Sequence, residues 1–246
     1  MRTEILYEDK SIMVVRKPAG LAVQSAGIGQ PDVVSELKSY LVKLPSAGRS
    51  GKGEPYLGIV HRLDQPVEGL LVFAKEKKAA AALTKQLSDG TLNKHYYAVL
   101  CGYPAVVEGE LVDYLRKEGS VAVAVTGREK NFPDAKIAKL RYSILEKLDQ
   151  PMPLSLADVC IETGRFHQIR IQFAHAGWPL LGDAKYGNAA VGTAVSHQTY
   201  RSVALCAYSL EFTHPGNGKK MSFRVKPQNP AFEKFTKIPS EDIFEG

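Results

Sequence analysis

Strand-length apolar runs follow one another through this chain, and helical spacing recurs in only three stretches. Ile12–Val15, Leu57–Val60, Leu70–Ala74, Lys94–Cys101, Glu110–Leu115, Val121–Val125, Leu140–Lys147, Leu154–Ile161, Val203–Phe212 and Met221–Val225 all read as strands. They are short and rich in apolar and β-branched residues, and turn-forming residues separate many of them. The first helical stretch follows Asp32, a residue suited to cap it, with Val34, Leu37, Leu41 and Leu44 at three- and four-residue spacing. The second is the Ala-rich segment Lys77–Ser88, closed by Asp89-Gly90, and the third runs from about Phe166 to His175 with Gly177 beyond it. Few helices among many strands predict an α+β fold: a mixed, mostly antiparallel central sheet with flanking helices and loops. With no internal repeat and no linker-like tract, the whole of 1–246 is expected to form a single domain.

The chain is long enough to bury a substantial core, and its 24% of charged residues is ordinary for a globular protein. A formal net charge of +6 favours a polyanionic partner, because Lys and Arg side chains that neutralise phosphates release counterions. Cys101, Cys160 and Cys206 are far apart and odd in number, which argues against a disulfide framework or a cysteine zinc site. Neither a signal-peptide core at the start nor an apolar run of membrane-spanning length is present, so a cytoplasmic protein without membrane attachment is expected. Pro45–Pro55, rich in Gly and Ser, reads as a flexible surface loop. It contains Gly51-Lys52, but Ser46 and Gly53 stand where a P-loop needs Gly and Ser or Thr.

Three segments carry candidate chemistry. His61-Arg62-Leu63-Asp64-Gln65-Pro66-Val67-Glu68-Gly69 joins two apolar strands, where a carboxylate beside cations can serve as nucleophile or base. In Lys94–Gly102, strand alternation puts Tyr96, Ala98 and Leu100 on one face and Tyr97, Val99 and Cys101 on the other. One of the two tyrosines can therefore face a cleft and stack on a flat base. In Thr163–Gln172 the spacing predicts a buried stripe of Phe166, Ile169 and Phe173, with His167 and Arg170 on another face and Gln172 solvated. Arg170 is thus placed to pair with a carboxylate or phosphate. Arg165 either touches a phosphate or braces the turn.

Taken in order, these segments resemble the family of ribosomal large-subunit pseudouridine synthase A. The likeness is carried by Val14-Val15-Arg16-Lys17-Pro18-Ala19-Gly20-Leu21, His61-Arg62-Leu63-Asp64 with Gly69 and Leu71–Lys75, and Lys94-x-Tyr96-x-Ala98-x-Leu100-x-Gly102. It continues through Thr163-Gly164-Arg165-x-His167-Gln168-Ile169-Arg170, Gly177-x-Pro179-Leu180-Leu181-Gly182-Asp183 and Tyr186-Gly187, and runs from about Ile5 to Pro227. It implies the pseudouridine synthase fold with an active-site cleft across the sheet, and a reaction that breaks a uridine's N1–C1′ bond, turns the uracil and rejoins it through C5. Asp64 matches the indispensable aspartate and Arg62 the arginine that fills the space left by the flipped base. Tyr96 matches the tyrosine packed on the uracil, and Arg170 the arginine paired with the aspartate. His61, Arg165 and Leu181 are further candidates for substrate binding.

The implied partner is ribosomal or transfer RNA, with no DNA, no cofactor and no metal expected, and the protein is expected to be monomeric. The chain departs from the family at Val67-Glu68, where Thr-Ser is usual, at Arg16, where Asn is usual, and at Cys206, where His is common. It begins almost at the first family strand, so no separate N-terminal RNA-binding domain of the S4 type is expected. Two rival readings are a non-catalytic RNA-binding module on the same scaffold and a glycoside hydrolase using Asp64 and Glu68.

Overall fold

The computed structural model describes residues 1–25, 27, 29–43, 54–125, 134–150, 152–187 and 202–246. In chain order the elements are β1 (Glu4–Glu8), β2 (Ile12–Lys17), α1 (Val33–Lys43), β3 (Gly58–Ile59), β4 (Glu68–Ala74), α2 (Lys77–Asp89), β5 (Asn93–Cys101) and β6 (Glu108–Glu118). They continue with β7 (Val121–Val125), β8 (Lys136–Leu148), β9 (Leu154–Ile161), α3 (Gln168–His175), β10 (Leu205–Thr213), β11 (Lys220–Arg224) and β12 (Ile243–Glu245). This is the α+β class expected, with mostly antiparallel strand pairing. The chain divides into two compact units, one of 1–93, 208–225 and 241–246, the other of 94–207 and 226–240.

In the first unit β2 pairs antiparallel with β1 on one side and β4 on the other, and β3 also pairs with β4. Ile12, Met13, Val14 and Val15 are all fully buried, as are Leu71, Val72, Phe73 and Ala74. Both faces of these strands are therefore covered, which is why they read as continuous apolar runs rather than alternating ones. Ile12, Val14, Leu70 and Val72 share one core cluster with Ala79 and Leu83 of α2, and with Phe212 and Phe223 of β10 and β11.

Asp32 caps α1 as expected: its Oδ1 accepts from Ser35 N and its Oδ2 from Ser25 N, each at 2.7 Å. Burial disfavours the Asp32 charge, yet these N–H groups outweigh it and hold the carboxyl below its ordinary range. Gly90, at φ +78°, ends α2 in the left-handed conformation that glycine adopts without strain.

In the second unit β5, β9, β8, β6 and β7 form an antiparallel succession. Ala138, Leu140, Tyr142 and Ile144 alternate inward along β8, and the Tyr142 ring meets Phe173 of α3 edge-to-face at 5.5 Å.

Three local expectations differ from the fold. The third helix starts at Gln168, not Phe166: His167 sits at φ +54°, a left-handed conformation that a right-handed helix does not admit. Phe166 is accordingly 39% exposed and not part of the buried stripe. The polar tail after Val225 includes a short strand, β12, paired with β11. Most of Pro45–Pro55, with Arg49 and Lys52, lies outside the described residues.

Candidate active site

The connection from β3 to β4 alternates in burial: His61 and Leu63 point inward, Arg62 is exposed and Asp64 half-buried. His61 Nε2 accepts the N–H of Val72 at 3.4 Å, a packing role inside the sheet. Arg62 Nη2 donates to Gln24 Oε1 at 3.0 Å. The Asp64 carbonyl accepts Val67 N at 3.1 Å, so the chain turns immediately after the carboxylate.

This loop is fastened by Lys17, a residue of the first motif to which the resemblance assigns no role. Lys17 closes β2 and is fully buried. Its Nζ donates to Leu21 O at 2.7 Å and to Pro18 O and Gln65 O at 3.0 Å each. Burial pulls its pKa down to about 7, against the opposing pull of Asp64 first and Glu68 second, while Arg2 adds to the lowering. The signal that would have singled it out is its phase: Lys17 lies two residues beyond Val15, on the same buried face of β2, where a cation needs dedicated acceptors.

In the second unit, Tyr96 is 5% exposed on β5, opposite Val159. Tyr97 is equally buried, so burial does not single out one of the two tyrosines. Arg170 lies on α3, 3% exposed, and forms a bidentate pair with Asp183: Nε to Oδ2 and Nη2 to Oδ1, both 2.7 Å. Asp183 Oδ1 also accepts from Lys185 N at 2.9 Å and Tyr186 N at 3.2 Å, and the guanidinium lies 5.2 Å from the Tyr186 ring centre. Asp183 ends the Gly177–Asp183 motif, but nothing in its spacing names Arg170 as its partner.

Around that pair, His167 Nδ1 meets the Tyr186 hydroxyl at 2.7 Å, and the same hydroxyl accepts Ala122 N at 2.6 Å. Arg165 Nε donates to Ile137 O at 2.8 Å, which ties the turn before α3 to β8. Leu181 is 1% exposed, its N–H bound to Val99 O and its carbonyl accepting Ala204 N. Gln172 corrects the expectation of a solvated side chain. It is fully buried, and its Nε2 donates to Asp113 Oδ2 at 2.8 Å and Leu111 O at 3.1 Å. The inner strands supply acceptors there that hydropathy does not reveal. Among the described residues no cluster of His, Cys, Asp and Glu is arranged to hold a metal ion, and no helix is long and apolar enough to cross a membrane.

The model of the RNA pseudouridylate synthase family matches residues 11–175, a span drawn from both compact units. The chain is 33% identical over 232 residues to ribosomal large subunit pseudouridine synthase D of Zymomonas mobilis subsp. mobilis, covering 92% of this chain and 70% of that protein. To the protein of the same name from Pseudomonas aeruginosa it is 34% identical over 229 residues, covering 89% of this chain and 67% of that one. Across such relatives the chain spans between 58% and 70% of their length. In fold it resembles human RNA pseudouridylate synthase domain containing 1, with a TM-score of 0.71 at 18% identity over 92% of this chain and 83% of that chain. It also resembles human RNA pseudouridylate synthase domain containing 4, at 0.67 and 24% over 92% and 89%.

Proposed function

The chain belongs to the RNA pseudouridylate synthase family, and from that membership we propose that it isomerises uridines of ribosomal RNA to pseudouridine with Asp64 as the catalytic carboxylate. The observation that carries this reading is the family match itself, because it runs through His61–Asp64, Tyr96 and Arg170 in order. The latched loop supports it, since it keeps Asp64 half-exposed just before β4, a strand that is buried along its whole length. Ribosomal RNA is preferred to transfer RNA because the relatives named above carry the ribosomal large subunit in their names.

In this reading the target uridine leaves its stack, at a cost of a few kcal/mol that favours loops and unpaired positions. Exposed Arg62 enters the vacated space. Asp64 acts on the ribose as the N1–C1′ bond breaks, Tyr96 is the side chain that packs on the turning uracil, and Arg170, fixed by Asp183, is the cation of the site. Rejoining through C5 releases the C5 proton, and N1 takes one up, so the reaction is neutral overall and redox-silent. His61, Arg165 and Leu181 support the fold around the site. The protein works as a monomer on RNA rather than DNA, in the cytoplasm.

The test is proton release from C5-labelled uridine in ribosomal RNA. Asp64→Ala abolishes release while RNA binding survives; unchanged turnover in that variant would sink the assignment.

A further inference from the structure

Lys17 is an amine held in a dry place, fully buried at the end of β2. Its ammonium has three N–H donors, and three carbonyls take them: Pro18 O, Leu21 O and Gln65 O. The Gln65 carbonyl also accepts Gly20 N at 2.9 Å, so the residue directly after Asp64 is tied twice to the turn that follows β2. A neutral amine has two N–H donors and a lone pair. Loss of the proton therefore turns one of the three contacts from attraction to repulsion and loosens the loop that carries Asp64.

Burying a lone ammonium is costly unless opposite charge lies near. Two carboxylates supply it, from the loop and from β4: Asp64 and Glu68, with Arg2 of the N-terminal segment acting against them. Glu68 is 5% exposed and opens β4 next to Gly69, the residue opposite Lys17 in the β2–β4 ladder. Glu68 stands where the resembling family usually has Ser. During turnover the charge of Asp64 is engaged with the ribose, whereas Glu68 remains.

Resting on the function proposed above, we infer that Glu68 is a positioning residue: its buried carboxylate keeps Lys17 cationic, and cationic Lys17 holds the Asp64 loop in place through Gln65. The sign follows directly. Removing the Glu68 charge removes one of the two influences that oppose the burial of Lys17, so Lys17 gives up its proton at lower pH.

The test compares the full chain with Glu68→Gln and Glu68→Asp by lysine-selective NMR and by C5-proton release across the pH range from acid to alkaline. In Glu68→Gln the Lys17 titration moves down by about one unit, and above both pKa values turnover falls by about tenfold, with a smaller loss at the acid end. Glu68→Asp keeps the charge one methylene further back and restores most of both readouts. An unmoved Lys17 titration, or a loss of turnover equal at every pH, overturns the inference. The NMR arm needs no activity. Failure of the isomerase reading, seen as wild-type protein silent towards every RNA, is thus separated from failure of the pairing, seen as an unmoved titration in an active enzyme.

Discussion

Asp183→Ala removes the carboxylate that two buried, charge-assisted contacts of Arg170 depend on. The side chains of Arg170 and Asp183 are 4% and 0% exposed, so water does not replace what is lost. Two 2.7 Å contacts disappear together, and Lys185 N and Tyr186 N lose their shared acceptor. Breaking a buried pair by deleting one partner costs about 3–5 kcal/mol. For a chain of this size that is a fall in Tm of about 6–20 °C. Thermal and urea unfolding of Asp183→Ala measure it directly.

A double-mutant cycle with Arg170→Met isolates the pair. Once Arg170 is absent, losing Asp183 deprives only two backbone groups, so the double variant is more stable than the sum of the two singles by about 2 kcal/mol or more. A loss below about 1 kcal/mol, the range of a solvent-screened surface pair, or strict additivity in the cycle would refute the reasoning.

Two further outcomes rest on single contacts. Asp32→Ala leaves Ser35 N and Ser25 N without their acceptor and lowers stability by about 1–2 kcal/mol, read from urea unfolding, while Asp32→Asn keeps the acceptor for Ser35 N, loses the one for Ser25 N and falls between wild type and Asp32→Ala. Gly109→Ala drives a Cβ to 2.7–2.8 Å from the Tyr142 ring, which packs on Phe173, and costs about 1–3 kcal/mol in the same assay.

Where local chemistry alone decides an element, the sequence was legible. Leu154–Ile161 is a strand between the expected residues, Asp32 caps the first helix, and Gly90 closes the second. The failures have a common cause. The spacing of Phe166, Ile169 and Phe173 is helical, but the backbone reverses hand at His167, and a positive φ at a non-glycine residue leaves no mark in apolar periodicity. Polarity usually marks the solvated face, so the sequence alone points Gln172 towards water. Here the neighbouring strands offer Leu111 O and Asp113 Oδ2 as partners, which only the assembled unit supplies. Alternation separates Tyr96 from Tyr97 by face, yet both are equally buried, so alternation alone does not say which face meets a ligand.

The candidate site shows the same division between naming a residue and knowing its partner. Arg170 and Lys17 are both buried cations in segments with a family resemblance, but they are held in different ways. Arg170 meets a carboxylate in a bidentate fork, and a guanidinium does not give up its proton in a protein, so this contact is not lost as pH rises. Lys17 meets three neutral carbonyls, and its charge depends on carboxylates nearby, with a pKa brought down to about 7. A lysine amine is a group that burial can switch. Alkaline sensitivity of the Asp64 loop is therefore expected to come from the Lys17 side and not from Arg170. Lys17→Arg is no conservative exchange at this position, because a planar five-donor fork does not fit the three convergent carbonyls that one ammonium fills.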